Sequence, residues 1–199
     1  MIVPQPVTLA GRLVELQPFV PEHAAGLFEA AQDDEVWTYI PWSKPQSVAE
    51  MEAFVEESRA RMAAGTEIPF AIVELESGKP VGQIGYIDIA PADGHIEIGT
   101  WLAREVWRSG INTECKYLLL RHAFETLGAM RVQMKTDVRN ERSQRAIERL
   151  GAVREALFRK SQIIKDGHVR SSIVYSIVDD EWPAVKANLE SKLGLVETA

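Results

Sequence analysis

Four stretches of this chain hold side chains whose types and spacing suit chemistry. The first is "WRSGINTE", Trp107 to Glu114, where a glycine and several short hydrogen-bonding side chains open an amphipathic segment. Gly110 permits left-handed backbone angles and close approach of a ligand. Ser109, Asn112 and Thr113 offer side-chain oxygens, and Ile111 carries the first apolar position. The first amides of a helix lack partners inside it, and the helix dipole favours an anion there by roughly 0.3–1 kcal/mol. Arg108 adds a cation suited to a charge-assisted contact. The same residues also satisfy a plain helix start, and Glu114 can answer the dipole itself. The stretch is not the longer glycine-rich loop of nucleotide triphosphatases.

The second stretch is "NERS", Asn140 to Ser143, directly after a strand pattern. Asn is a favoured N-cap, so capping accounts for it; an amide and a hydroxyl placed beside a neighbouring phosphate site is the other reading. The third is "HIEIGTWL", in which Glu97 stands between Ile96 and Ile98. A carboxylate in apolar surroundings becomes a better proton acceptor, while one facing water or an arginine is structural. Gly99 in the same strand suggests a bulge or a close backbone approach. The fourth is "EVWTYIPWSKP", where Trp37, Tyr39 and Trp42 crowd an expected loop. Core packing explains such aromatics, and so does the wall of a substrate pocket.

The elements that must position these residues follow from periodicity. "GRLVELQPF" reads as a first strand, "PEHAAGLFEAAQ" as a helix with Pro21 in its first turn, and "SVAEMEAFVEESRARMAA" as a second helix. Ser47 and Glu50 have capping-box spacing in that second helix, and Gly65 ends it. "IPFAIVEL", "PVGQIGYIDIA" and "HIEIGTWL" are strands two to four, the first two joined across "ESGK". A helix follows with Ile111, Cys115, Leu118, Leu119 and Ala123 on its apolar side and Glu114, Lys116, Arg121 and Glu125 on its polar side. "RVQMKTDV" alternates as the fifth strand, with Val132, Met134, Thr136 and Val138 on one face and Arg131, Gln133, Lys135 and Asp137 on the other. "ERSQRAIERLG" is a short helix closed by Gly151. "AVREALFRKSQII" and "HVRSSIVYSIV" form a hairpin around "KDG", and "EWPAVKANLESKL" is the last helix. The crossover helix between strands four and five requires that pair to be parallel while the rest of the sheet is antiparallel. The fold class is therefore α/β (α+β), with a mixed sheet of about seven strands.

The 199 residues suit one domain over 1–199 with a substantial core. No apolar run reaches bilayer length, and "MIVPQPVTLAGR" lacks the n- and h-regions of a signal peptide. The single cysteine, Cys115, excludes an intrachain disulfide and a cysteine-based zinc cluster, and the four histidines are scattered. A cytoplasmic, metal-free protein is expected. The net charge of −7 argues against direct nucleic-acid binding. Charge is uneven, however: Arg104 to Arg149 holds ten Lys/Arg and six Asp/Glu, a local +4, so the remainder carries −11. That distribution suits a phosphorylated ligand in one region and a cationic partner in the other, or simply solvated helix faces. Exposed sheet edges make a homodimer an expectation.

Taken in order, "IEIGTWL", "VWRSGINTE", "YLLLRHAFE" and "RVQMKTDVRNERSQRAIERLGAVREA" resemble the GNAT superfamily of N-acetyltransferases, on the RimJ/RimL-like (ribosomal-protein N-terminal acetyltransferase-like) branch. The likeness spans roughly residues 10 to 180. It implies a sheet split between strands four and five that receives acetyl-CoA, with the pantetheine arm along Thr100, Trp101 and Leu102. It places the pyrophosphate on the amides of Ser109, Gly110, Ile111, Asn112 and Thr113, beside Arg108. Asn140 and Ser143 match the family's Asn-x-x-Ser near the thiol. Glu97 matches its frequent strand carboxylate, in the role of base, with Ser143 protonating the departing thiolate. The family's helix mouth reads Trp-Gly-basic-Gly-x-Ala/Gly; Arg108 stands here for the first glycine and Asn112 for the last small residue. Thr100 replaces a frequent tyrosine, and Ser171 replaces a common aspartate. The implied reaction is direct acetyl transfer to a primary amine, of a peptide or protein N-terminus or of a small molecule, with Trp37, Tyr39 and Trp42 at the acceptor. The departures leave open a non-catalytic acyl-CoA-binding sensor, and the acidic remainder leaves open an acetyltransferase of a cationic antibiotic or polyamine.

Overall fold

The computed structural model describes residues 4–195, and of Asp166 the backbone alone; residues 1–3 and 196–199 of the expected domain lie outside the described residues. The chain runs β1 (Leu9–Ala10), β2 (Val14–Pro18), α1 (His23–Ala30), α2 (Asp34–Trp37), α3 (Val48–Ala63), β3 (Ile68–Glu74), β4 (Pro80–Ala90) and β5 (His95–Leu102). It continues through α4 (Ile111–Arg121), β6 (Arg131–Asp137), α5 (Glu141–Leu150), β7 (Val153–Ile163), β8 (Val169–Val178) and α6 (Trp182–Leu193). The strands form one eight-stranded sheet in the order β1-β2-β3-β4-β5-β6-β8-β7. The strand beyond the expected seven is β1, a two-residue partner of β2 across the turn at Gly11. Two residues are too few to carry a periodicity, which is why alternation alone misses it.

Local signals fix several ends. Ser47 Oγ accepts from Glu50 N at 3.2 Å, as the capping-box spacing requires. Gly151 closes α5 with φ 105°, a left-handed angle that suits glycine. Within the expected aromatic loop lies the short helix α2, capped by Asp33, whose side chain accepts from Glu35 N at 2.8 Å.

The pairing that matters most is β5 with β6. It is parallel, and it joins only His95–Arg131, Ile96–Val132 and Glu97–Gln133. On its other side β5 stays paired with β4 as far as Leu102. From Ile98 onward β5 therefore has no strand on the β6 side, and the sheet opens as a wedge. Ala103 N donates to Val81 O on β4 at 2.8 Å. Strand alternation then turns the backbone groups of Ile98, Thr100 and Leu102 into the opening.

The sheet is covered on both faces. Tyr86, level with Ile98, donates its hydroxyl to Leu119 O of α4 at 2.7 Å, so α4 covers the face bearing Ile98 and Thr100. Trp101, on the opposite face, packs toward Met51 and Phe54 of α3. This double cover corrects one sequence expectation. Glu114 and Lys116, placed on the polar side of α4, do not face water; they are 3% and 6% exposed. On the polar face of β6, Gln133 and Asp137 are likewise buried, 8% and 1% exposed, while Lys135 stays exposed. Periodicity sees polarity but not a second layer laid over it.

Candidate active site

At the mouth of α4 the backbone takes an unusual path. Arg108 has φ 68° and Gly110 has φ 96°, two left-handed residues around Ser109. Such alternation turns successive N–H groups toward one point and makes an anion-binding concavity. Ser109 Oγ donates to Val106 O at 2.7 Å and accepts from Ile111 N at 3.3 Å, while Thr113 N and Glu114 N return to Gly110 O. Among the described residues the N–H groups of Arg108, Gly110 and Asn112 meet no acceptor. Arg142 lies over the Trp107 ring, Cζ 3.3 Å from its centroid. Burial lowers the Arg142 pKa, and nearby Arg108 and Arg104 push the same way. Arg104 is itself paired with Glu35 at 3.0 Å and Asp33 at 3.7 Å, so Arg108 and Arg142 are the cations left near the unanswered amides, and an anion there would relieve both.

Glu114 is not part of that concavity. Its carboxylate accepts from Arg12 N at 2.8 Å, Leu13 N at 2.7 Å and Val14 N at 3.0 Å, pinning α4 to the turn between β1 and β2. Lys116 reaches the face of β5, where its Nζ donates to Thr100 Oγ1. Burial pushes its pKa down to about 7. The Trp107 indole N–H donates to Leu102 O at 3.0 Å and ties the mouth of α4 to the end of β5.

The other end of the opening is made of side chains. Glu97 is 7% exposed, and its Oε2 accepts from Gln133 Nε2 at 2.9 Å and pairs with Lys135 Nζ at 2.6 Å. Both contacts use one oxygen, and Oε1 has no hydrogen bond among the described residues. Asp137, at the end of β6, accepts from the backbone N, Nε and Nη2 of Arg139, at 2.8–3.0 Å. Burial raises the Asp137 pKa, but the Arg139 bonds outweigh it and the net shift is downward. Arg139 also lies 5.6 Å from the centroid of the Tyr39 ring. Arg170 of β8 shares this face and is 8% exposed.

The three aromatics of the α2 segment divide. Trp37 is a core residue, with its indole N–H on Ala31 O at 2.7 Å and its ring 5.6 Å from Trp101. It also lines, with Trp42, Pro45 and Trp101, a hollow of about 140 Å³. Trp42 is 48% exposed at its rim, and Tyr39 stands under Arg139. The tip of the β7–β8 hairpin fastens onto this segment, Lys165 N donating to Pro41 O at 3.1 Å and Lys165 Nζ to Trp37 O.

Asn140 caps α5, its Oδ1 accepting from Ser143 N at 3.0 Å, while no hydrogen bond occupies Ser143 Oγ among the described residues. Ser171 serves the fold: its Oγ accepts from Lys160 N at 3.0 Å, at a bulge where Lys160 has φ 48°. The structure thus gathers Thr100, Trp101 and Leu102 beside the opening, and Arg108 to Thr113 at its helix mouth. Lys135, Asp137, Arg139, Arg170 and Lys116 were not singled out from the sequence. For Lys135, Asp137 and Arg170 the signal is a polar residue at a strand position whose neighbours are buried; Lys116 in α4 and Arg139 after β6 show themselves only once the elements are packed together.

Between the concavity at α4 and Glu97 runs the open edge of β5, Glu97 to Leu102, about 16 Å at ~3.3 Å per residue. Amides for a diphosphate at one end, an unpaired strand edge in the middle and a carboxylate at the other end fit acetyl-CoA. Among the described residues no helix is long and apolar enough to cross a membrane, and no cluster of His, Cys, Asp or Glu suits a metal.

Known proteins share this fold. The chain is 25% identical over 173 residues to the uncharacterized N-acetyltransferase YoaA of Bacillus subtilis (strain 168), covering 87% of this chain and 97% of that protein. A GCN5-related N-acetyltransferase from Brucella melitensis superposes with a TM-score of 0.90 at 30% identity, over 96% of this chain and 87% of that one. Mycobacterium smegmatis RimJ, in complex with CoA-disulfide, shares the fold, with a TM-score of 0.83 at 23% identity over 95% of each chain. The acetyltransferase (GNAT) domain family matches residues 13–153, and the chain belongs to that family, whose members transfer an acetyl group from acetyl-CoA.

Proposed function

We propose that this protein is an N-acetyltransferase of a peptide or protein N-terminus or of a small-molecule amine, acting by direct transfer. The observation that carries the reading is the wedge between β5 and β6, which ends at Glu97 and begins at the unanswered amides of Arg108, Gly110 and Asn112. Acetyl-CoA supplies the thioester. Arg108, Ser109, Gly110, Ile111, Asn112 and Thr113 hold its diphosphate, and the edge of β5 at Thr100, Trp101 and Leu102 orients its arm. Asn140 keeps Ser143 at the start of α5, from which Ser143 Oγ passes a proton to the departing sulfur and takes one back from solvent. Glu97 takes the proton of the attacking amine on Oε1, while Lys135 and Gln133 hold Oε2 in place. Trp37, Tyr39 and Trp42 border the acceptor.

The single carboxylate favours a weakly basic acceptor. An α-amine titrates near ~8 and a lysine amine near ~10.4, so presenting neutral lysine at pH 7 costs roughly 3 kcal/mol more. One domain over 1–199, cytoplasmic action and a homodimer belong to the same proposal. The dimer is supported by the edge strand β7, which exposes Leu157, Phe158 and Ile163.

The test is thiol release from acetyl-CoA, with mass spectrometry of the products, on peptides that differ only in a free α-amine or a free lysine. Acetylation of the α-amine is expected; acetylation confined to lysine overturns the choice of acceptor. Tight CoA binding without turnover on any amine would instead favour the acyl-CoA sensor.

A further inference from the structure

One cation on the acceptor face of β5, β6 and β8 is left without an ion pair. Buried Glu97 and Asp137 face Lys135, Arg139 and Arg170, and Lys135 also reaches the exposed Asp88 of β4 at 3.9 Å. Glu97 pairs with Lys135 at 2.6 Å, and Asp137 with Arg139 at 2.8 Å. Arg170 is left over. It is 8% exposed, its Nε has no hydrogen-bond partner, and its guanidinium makes no ion pair among the described residues. Burial lowers its pKa against the fields of Asp137 and Glu97, which places both acids within electrostatic range. Both are already committed elsewhere. An uncompensated buried charge is strongly destabilising, and a well-packed apolar side chain in its place is ordinarily better for the fold. Val174, on the same face of β8 and 2% exposed, shows that such side chains pack there.

The position of Arg170 says what it can reach. Asp137 is the last residue of β6, and its partner on β8 is Ser172. Arg170 lies two residues further on, past the end of β6, so no residue of that strand stands level with it. Its side chain shares the face of Ser172 and Asp137 by strand alternation. That is the face of Glu97, where the wedge opens. Over the same end, Lys165 and the α2 segment close the surface.

We propose that Arg170 binds a carboxylate carried by the acetyl acceptor, so that the acceptor is an amine with a carboxylate close to it. This deepens the acetyltransferase reading and rests on it. A guanidinium offers parallel N–H donors that match the two oxygens of a carboxylate, and Nε with one terminal nitrogen forms such a fork. A carboxylate seated there gives the buried guanidinium the ion pair it lacks. The carboxylate has two sources: the α-carboxylate of a free amino acid, or an acidic side chain next to the N-terminal amine of a peptide. Either source runs against a polyamine or cationic antibiotic, which would add positive charge where one is already unmatched.

Matched pairs of acceptors decide the matter: an amino acid against its own amide, and a peptide amide with Asp against one with Asn at its second position. Thiol release and calorimetry in the presence of CoA are both read. The carboxylate-bearing member of one pair is expected to show kcat/KM at least about tenfold higher, and the pair that responds names the source. Arg170→Met should bring that preference to within about twofold, acting through KM, with CoA affinity unchanged and Tm equal or higher. Should that variant not fold, Arg170→Lys, which keeps the charge but loses the fork, is expected to weaken the preference. The proposal is overturned if the wild type does not distinguish either pair, if Arg170→Met keeps the preference, or if it lowers kcat on charged and neutral acceptors alike. Absence of turnover on every amine sinks the acetyltransferase reading alone. Calorimetry on the same compounds then still judges Arg170: carboxylates that bind the wild type and not Arg170→Met uphold it, and equal binding overturns it.

Discussion

The two ends of the β5–β6 wedge are built from different materials. At the mouth of α4 the ligand-facing groups are backbone amides, aimed by two left-handed residues, Arg108 and Gly110, within a few positions of each other. At the Glu97 end they are side chains, delivered by β5, β6, β8 and the segment after α2. A site made of backbone depends on local conformation and tolerates varied side chains. A site made of side chains depends on which strands lie beside one another and tolerates few. Disturbing the first should alter binding of the acetyl donor whatever the acceptor. Disturbing the second should alter turnover with the donor still bound.

The largest effect is expected from the residue that anchors the first region without touching the ligand. Glu114→Ala leaves the amides of Arg12, Leu13 and Val14 without their acceptor. Hydrogen bonds to a charged group contribute ~1.5–3 kcal/mol each, and buried donors left unmet add their own desolvation cost. Allowing for water at the partly exposed amides, a loss of about 3–5 kcal/mol in urea-unfolding stability is expected, together with weaker CoA binding as α4 loosens. Glu114→Gln should rescue little, because its amide nitrogen is a donor facing donors. If Glu114→Ala unfolds like the wild type, α4 is held by packing alone, and the mouth is less dependent on its anchor than the contacts imply.

Glu97→Gln probes the other end. It keeps the shape of the side chain but removes the proton acceptor and the charge opposite Lys135. A fall in kcat of about 10²–10³ is expected, within the usual range for a general base, with CoA affinity by calorimetry changed less than about twofold. A drop in CoA affinity of the same size as the drop in kcat would erase the division between the two regions.

This division also explains what the sequence could disclose. The mouth of α4, the cap at Asn140 and the ends at Gly65 and Gly151 are contiguous signals, readable because each depends on neighbours a few residues away. The parallel pairing of β5 with β6 followed from a crossover helix and needed no side-chain detail. The pairs Glu97–Lys135 and Asp137–Arg139, whose acids alone are buried, and the unmatched Arg170, join residues that alternation alone assigns to one polar face. How wet that face is depends on the segment after α2 and the β7–β8 hairpin tip lying over its end, and no local pattern in β6 or β8 records their presence. Glu114 and Lys116 were misjudged for the same reason: a charged residue at helical spacing reads as solvated until the turn at Arg12 and the strand at Thr100 are placed against it.

The smallest expected effect tests the first region most finely. Arg108 occupies a left-handed conformation, φ 68°, at the position where the family usually has glycine. For a residue with a Cβ that conformation costs on the order of 1 kcal/mol. Arg108→Gly relieves this strain but frees the unfolded chain, so the two effects partly offset. A gain in stability of a few tenths of a kcal/mol up to about 1 kcal/mol is expected. The substitution also removes one of the cations near the concavity, Arg142 remaining, and an exposed charge contributes little in salt. CoA affinity should therefore fall only a few-fold at physiological ionic strength, and the deficit should shrink further as salt is raised. A loss of a hundredfold that persists in high salt would mean that the Arg108 side chain, not the path of the backbone, holds the diphosphate. The two ends of the wedge would then be made of the same material after all.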